Sequence, residues 1–261
     1  MANGETCLSC KCCFGLLIDV TGFDLHRLAT SLRLDPMALV TTAPSDETDD
    51  DLGFCLAPGG PTKTLILRQR GTTRRRCALL LGSLGADDET RCGVYPIRPA
   101  ACRSYPGEFS PDGEGQVQRR SIARCPVGSF TPSSGQDPTL NEAMDTSTWA
   151  PLIRDEQIGL DIHRIVTWRW NRHVLAGGRR RSLAEFVGYL MEVHERLAPV
   201  WRAIVDRPDW PSHRDAWGGA IDDGISPFLA PADATPALDG IRVDLRELVA
   251  VIESSFPLDP W

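Results

Sequence analysis

Lysine is almost missing from this chain of 261 residues: Lys11 and Lys63 are the only two, so arginine carries nearly all of the positive charge. A basic surplus is missing as well. The formal net charge is -7, with 15 basic and 15 acidic groups in residues 1–130 and 13 against 20 in residues 131–261. That balance excludes a general electrostatic attraction for nucleic acid or an anionic membrane, and neither is expected as a partner. Long apolar runs are absent: no stretch approaches the length needed to span a bilayer. The first residues carry neither the basic segment nor the apolar run of a secretory signal, so a cytoplasmic protein is expected. No internal repeat is visible.

Cysteine, by contrast, is plentiful, with nine residues. In a reducing compartment that number favours metal ligation or redox work over disulfides, and an odd count leaves at least one outside any pairing. Four of the nine, Cys7, Cys10, Cys12 and Cys13, fall within the seven residues of CLSCKCC. A hydrophobic core needs no such crowding. Thiolates are soft ligands for zinc or an iron–sulfur cluster, and Cys-x2-Cys lets two of them reach one metal across a tight turn.

Hydropathy divides the remainder. FGLLIDV (Phe14 to Val20) has the length of a strand, and Asp24 is placed to cap a helix whose apolar face is Leu25, Leu28, Ala29 and Leu32. Asp35-Pro36 ends that helix and opens a shorter one. Residues 44–53 form an acidic loop that lacks the spacing of a calcium-binding EF-hand. Thr64 to Arg70 reads as a strand, paired in a hairpin with the segment that starts at Cys77. In RCGVYPIRPAACRSYP (Arg91 to Pro106), prolines 96, 99 and 106 prevent a continuous helix or central strand. Such irregular backbone lacks ladder bonds, and a metal at Cys92 and Cys102 would supply the missing restraint. Arg98 and Arg103 are placed to donate to cluster sulfurs or loop carbonyls, and Tyr95 and Tyr105 to pack on the metal site or line a substrate pocket.

A strand over Val117 to Ile122 precedes Cys125, after which residues 126–148 are poor in large apolar side chains and read as a linker or mobile loop. Helical spacing returns from Trp149, with Ile158, Ile162, Ile165 and Val166 on one face and Gly177-Gly178 as the stop. Ser182 and Glu185 form a capping box for the next helix, in which Pro199 predicts a kink. Residues 206–243 are rich in Pro, Gly and Trp, and a short final helix is expected from about Asp244. His163 and His173 stand ten positions apart on one predicted helix and do not share a site; His26 and His194 read as surface or core residues, and His213 lies in a loop. The Arg179 to Arg181 run suits phosphate or carboxylate, but just before a helix cap it reads as solvated. The expected architecture is α+β: a metal-stabilised cysteine-rich module of short strands and loops over residues 1–128, a linker over 129–148, and a helical part over 149–261 packed on the module.

Read together, CLSCKCC, Cys77 in CALL, Cys92 and Cys102 in CGVYPIRPAACRSYP, and Cys125 in CPVG resemble the YkgJ-type cysteine-cluster family of zinc- or iron-chelating proteins. The likeness covers residues 7–128. It implies that Cys7, Cys10, Cys12, Cys13, Cys77, Cys92, Cys102 and Cys125 are metal ligands. Two features depart from the pattern: the first run is one residue shorter than usual, and Cys55 has no counterpart, leaving ligand, exchangeable thiol and core filler all open. Trp170-Asn171 resembles a feature of longer members. The family also contains flagellin lysine-N-methylases, which implies an iron–sulfur cluster, 4Fe-4S favoured over zinc, with S-adenosylmethionine and a small-molecule or protein amine as possible cosubstrates. Neither a Gly-rich strand-to-helix nucleotide motif nor a Cys-x3-Cys-x2-Cys run accompanies it. The alternative is a non-enzymatic zinc-stabilised or metal-chelating protein.

Overall fold

A computed structural model describes residues 13–14, 16–45, 53–71, 75–82, 91–104, 108–111, 117–120, 146–228 and 238–255. Within them the chain is α+β: helices with a few short antiparallel strands. The first helix, α1 (Gly22–Leu32), starts one turn earlier than Asp24 suggests, because Thr21 is its N-cap and accepts from the Asp24 N–H at 3.2 Å. Asp24 then stands at the third helical position, where a carboxylate faces the positive end of the helix dipole. The helix stops at Arg33, in the left-handed region at φ 53°, from which a short α2 (Pro36–Leu39) follows, capped by Asp35. As the apolar spacing requires, Leu25, Leu28 and Ala29 are buried.

Val40 continues directly into β1 (Val40–Pro44), which pairs antiparallel with β2 (Lys63–Leu67). Three two-stranded pairs follow: β3 (Gln69–Arg70) with β4 (Arg76–Cys77), β5 (Leu80–Leu81) with β6 (Arg91–Cys92), and β7 (Glu108–Pro111) with β8 (Val117–Arg120). The hairpin expected over residues 64–81 is therefore split, since β2 is already taken by β1 and only Gln69 and Arg70 remain to pair with Arg76 and Cys77. The Phe14 to Val20 segment is likewise not a strand of its own. It runs beside β2 and β4 through isolated bridges, Phe14 to Arg76 and Asp19 to Ile66, and the Val20 N–H donates to the Leu65 carbonyl at 2.9 Å. Beyond β6 comes a single 3-10 turn (Tyr95–Ile97) and the one-turn α3 (Ala100–Ser104). Pro96 and Pro99 leave room for nothing longer.

Four further helices are α4 (Thr146–Gly177), α5 (Leu183–Val205), α6 (Trp210–Asp222) and α7 (Asp239–Ser255). Gly178, at φ 60°, terminates α4, and the capping box of Ser182 and Glu185 opens α5. Pro199 is accommodated inside α5. The fourth helix packs on α6 and α5 on α7, while α1 and α2 pack on α5 and α3 on α4. One continuous apolar cluster runs from Val20 and Leu25 through Phe54, Trp170, Phe186 and Leu190 to Leu248 and Ile252. Two polar ties sharpen this packing. Asp161, fully buried on α4, accepts from Trp217 Nε1 at 3.0 Å and Ser226 Oγ at 2.6 Å. Arg181 donates its N–H to the Leu56 carbonyl and pairs with Glu185, so the arginine run ends in a structural tie. Trp149 lies in α4, and the acidic residues 46–52, Tyr105, Cys125 and most of the 129–148 linker lie outside the described residues.

Candidate metal centre and adjoining cavity

Five of the nine cysteines are described, and all five are thiols not joined in disulfides: Cys13, Cys55, Cys77, Cys92 and Cys102. Strand pairing decides where they fall. Cys77 ends β4 and Cys92 ends β6; Leu80, three residues after Cys77, pairs directly with Cys92, so the two cysteines belong to neighbouring hairpins. Cys102 reaches the same place from α3. Burial pushes its thiol strongly up from the ordinary range, and the nearby thiols of Cys77 and Cys92 push it further, while Arg98 pulls it down. Cys13 is carried to this corner by the bridge between Phe14 and Arg76, one residue from Cys77, and packs against the same apolar cluster. Chain segments around residues 13, 77, 92 and 102 thus converge, although 89 residues separate the first from the last.

Among the described residues no three Cys, His, Asp or Glu side chains form a group able to hold a metal ion. The thiols approach one another without closing a coordination shell, and Cys7, Cys10, Cys12 and Cys125 lie outside the described residues. The donor chemistry nevertheless fits a soft metal. Burial and the neighbouring Cys77 and Cys92 disfavour the Cys102 thiolate, and a bound cation reverses that penalty. Arg98 adds a second fit: its buried Nε has no hydrogen-bond partner, and the side chain acts electrostatically on Cys102. Its guanidinium stacks 4.0 Å from the Tyr95 ring centroid, which brings two of the nominated site residues together. Tyr95 is itself 41% exposed and covers the arginine from the solvent side.

The loop that carries Arg98 and Cys102 is clamped by Asp24, a residue that reads from the sequence only as a helix cap. One oxygen of its buried carboxylate accepts from Arg27 at 2.9 Å and from the Ala100 N–H at 3.2 Å, and the other accepts from the Thr21 hydroxyl at 3.1 Å. Arg27 in turn donates to the Arg98 carbonyl at 2.7 Å. Burial raises the Asp24 carboxyl above its ordinary range against the opposing pull of Arg27. The signal was present in Thr21-x-x-Asp24, a capping-box spacing with Asp in place of Glu. What the spacing does not reveal is that the same carboxylate holds a loop 76 residues away.

Cys55 belongs elsewhere. Its N–H donates to Asn171 Oδ1 at 2.8 Å, its carbonyl accepts from Trp170 Nε1 at 2.8 Å, and Asn171 Nδ2 reaches the Gly53 carbonyl at 2.9 Å. The Trp-Asn pair therefore grips the backbone of residues 53–55 and seats Phe54 in stacked contact with Phe186. Burial alone accounts for the raised thiol of Cys55.

Beside the cysteine corner lies a cavity of about 530 Å³ bounded by α1, α3, α4 and α5. Arg103, the residue after Cys102, lines it together with Arg27, Phe23 and Trp201. Comparison with family models, with curated proteins and with solved structures finds no match to this chain. The case for function accordingly rests on the residues themselves.

His163 and His194 form a separate group at the start of α1. His163 Nδ1 accepts from the Gly22 N–H at 3.3 Å, and His194 Nδ1 donates to the Leu190 carbonyl at 2.8 Å. A Cβ on Gly22 would collide with the His194 ring, which is why glycine stands there. Both rings are buried and held neutral: burial lowers His163 to about 4, and burial with its histidine neighbours lowers His194 to about 3.

Proposed function

We propose that this chain is a metal-binding cysteine-cluster protein in which Cys13, Cys77, Cys92 and Cys102, with Cys7, Cys10, Cys12 and Cys125 from the flanking segments, hold an iron–sulfur cluster or zinc. The observation that carries the reading is the approach of Cys77 and Cys92 to Cys102 from three chain segments, with Cys77 buried and the other two half-buried. A resident metal would supply thiolate stabilisation and the restraint that the short strands and proline-broken loop do not provide for themselves. This chain's own contribution is positional: Asp24 clamps the Arg98 to Cys102 loop, Arg98 offers an N–H to the sulfurs, and Tyr95 covers it.

The cavity beside Cys102 favours a second reading, in which the centre acts on a small molecule, with amine methylation from S-adenosylmethionine the specific case suggested by the family resemblance. A closed structural zinc site would need no such cavity. Anaerobic purification followed by metal and acid-labile sulfide analysis tests the proposal. Iron with equimolar sulfide and a brown absorbance supports a cluster; zinc without sulfide supports the structural reading; a chain that retains neither metal overturns both.

A further inference from the structure

The cavity has a chemical character of its own, independent of any metal at the cysteines. Two of its lining residues, Arg27 and Arg103, stand near enough that Arg103 disfavours the charge on Arg27. Asp24 compensates Arg27 through a direct pair at 2.9 Å, but it feels Arg103 only at longer range. Each arginine also carries a buried Nε with no hydrogen-bond partner. An unpaired buried N–H on a charged group costs on the order of 1–3 kcal/mol. Both residues line the cavity, so guanidinium charge borders it from α1 and from α3. One part of the remaining wall is aromatic, with the Phe23 and Trp201 ring centroids 5.7 Å apart, and Arg202 stands beside it as a third arginine.

We infer that the cavity between α1, α3, α4 and α5 is a binding site for a small organic anion, whose carboxylate or phosphate is taken by Arg27 and Arg103 and whose apolar part lies against Phe23 and Trp201. Arg forks match both headgroups, since each presents paired oxygens to paired N–H groups. The α4 wall limits the choice. Asp155 and Glu156 line it, so a ligand charged along its whole length is repelled while one with a single anionic end is accepted. Burial raises the Asp155 carboxyl, with Arg214 and Arg103 opposing, which softens that repulsion. Because Arg103 follows Cys102 in α3, the bound headgroup would lie beside the cysteine corner.

The test is nuclear magnetic resonance of the arginine Nε–H groups in the full chain as purified, titrated separately with phenyl phosphate and phenylacetate. The Arg27 and Arg103 resonances, assigned by their loss in R27K and R103K, are expected to shift saturably with at least one probe below about 1 mM. The tighter of the two identifies the headgroup. R103Q is expected to weaken that binding about tenfold, the effect of losing one charge-assisted pair; R103K, which keeps the charge and loses the fork, should weaken it as well and serves if R103Q fails to fold. No saturable shift with either probe up to about 10 mM, or unchanged binding in R103K, overturns the inference. Since the readout is binding and not metal content, its failure would leave the cysteine proposal standing, and the reverse.

Discussion

Replacing Cys102 by serine is expected to abolish metal binding at the proposed centre and to unfold the cysteine-rich half. Outer-shell partners of a metal are worth roughly 10- to 100-fold in affinity, so loss of a ligand should exceed that. A serine hydroxyl is a hard, neutral donor and does not replace a thiolate. The consequence for folding is large, because structural zinc sites in small peptides contribute about 10–16 kcal/mol, and here the strands are two residues long and the loop is interrupted by prolines. Metal per chain and thermal melting, measured on wild type, C102S and wild type treated with chelator, check this together. The variant and the chelated protein should share a loss of cooperative unfolding. Cys55→Ser is the control: held by Trp170 and Asn171 through its backbone, Cys55 should be replaceable without loss of metal. Equal metal content in wild type and C102S would remove Cys102 from the site.

The second large effect is acid instability from His163 and His194. Both are neutral in the folded chain, at about 4 and about 3, whereas in the unfolded chain each titrates near its ordinary value of 6.5. Protons therefore bind the unfolded state first as pH falls. Stability is undiminished above pH 6.5 and is lost between 6.5 and about 4, with each histidine removing about 1.4 kcal/mol per pH unit. The pair together removes on the order of 6–7 kcal/mol across that window. The groups around them do not offset this: His26 lies close enough to His194 to oppose its charging, and it pairs with Glu195 at 2.7 Å on the exposed side. Urea unfolding from pH 7 to pH 5 should show the slope, and H194Q, whose amide can still donate to the Leu190 carbonyl, should reduce it by about half. Metal loss in acid acts through thiolates, so a slope that is unchanged in H194Q would assign the acid sensitivity to the cysteines.

Much of the helical framework was legible because its signals are local. The Leu25, Leu28, Ala29 face, the Gly177-Gly178 stop and the Ser182–Glu185 capping box each need only a few neighbouring residues, and each stands in the fold where the spacing places it. Pairing was not legible. Val40 to Pro44 forms a strand because Lys63 to Leu67, across the acidic segment, completes it, and no local pattern announces that partner. The same competition removes β2 from the hairpin that its alternation suggests. Helix α6 escaped notice because Pro211, Gly218 and Gly219 read as breakers. Pro211 occupies the first turn, where its missing N–H costs nothing, and the Arg154 side chain lies over Gly218 in the space a Cβ would take. Of the candidate site, the cysteines and Arg98 were visible as types and spacings. The clamp by Asp24 and the cavity shared by Arg27 and Arg103 were not, because both depend on α1 meeting α3, 68 residues beyond its last turn.

The central claim is that thiolates from distant segments hold one metal centre, and X-ray absorption at the edge of the bound metal tests it most directly. The account predicts a first shell of sulfur alone, near 2.3 Å as thiolate-ligated zinc shows. A shell of nitrogen and oxygen, or no bound metal in protein purified without oxygen, would contradict it.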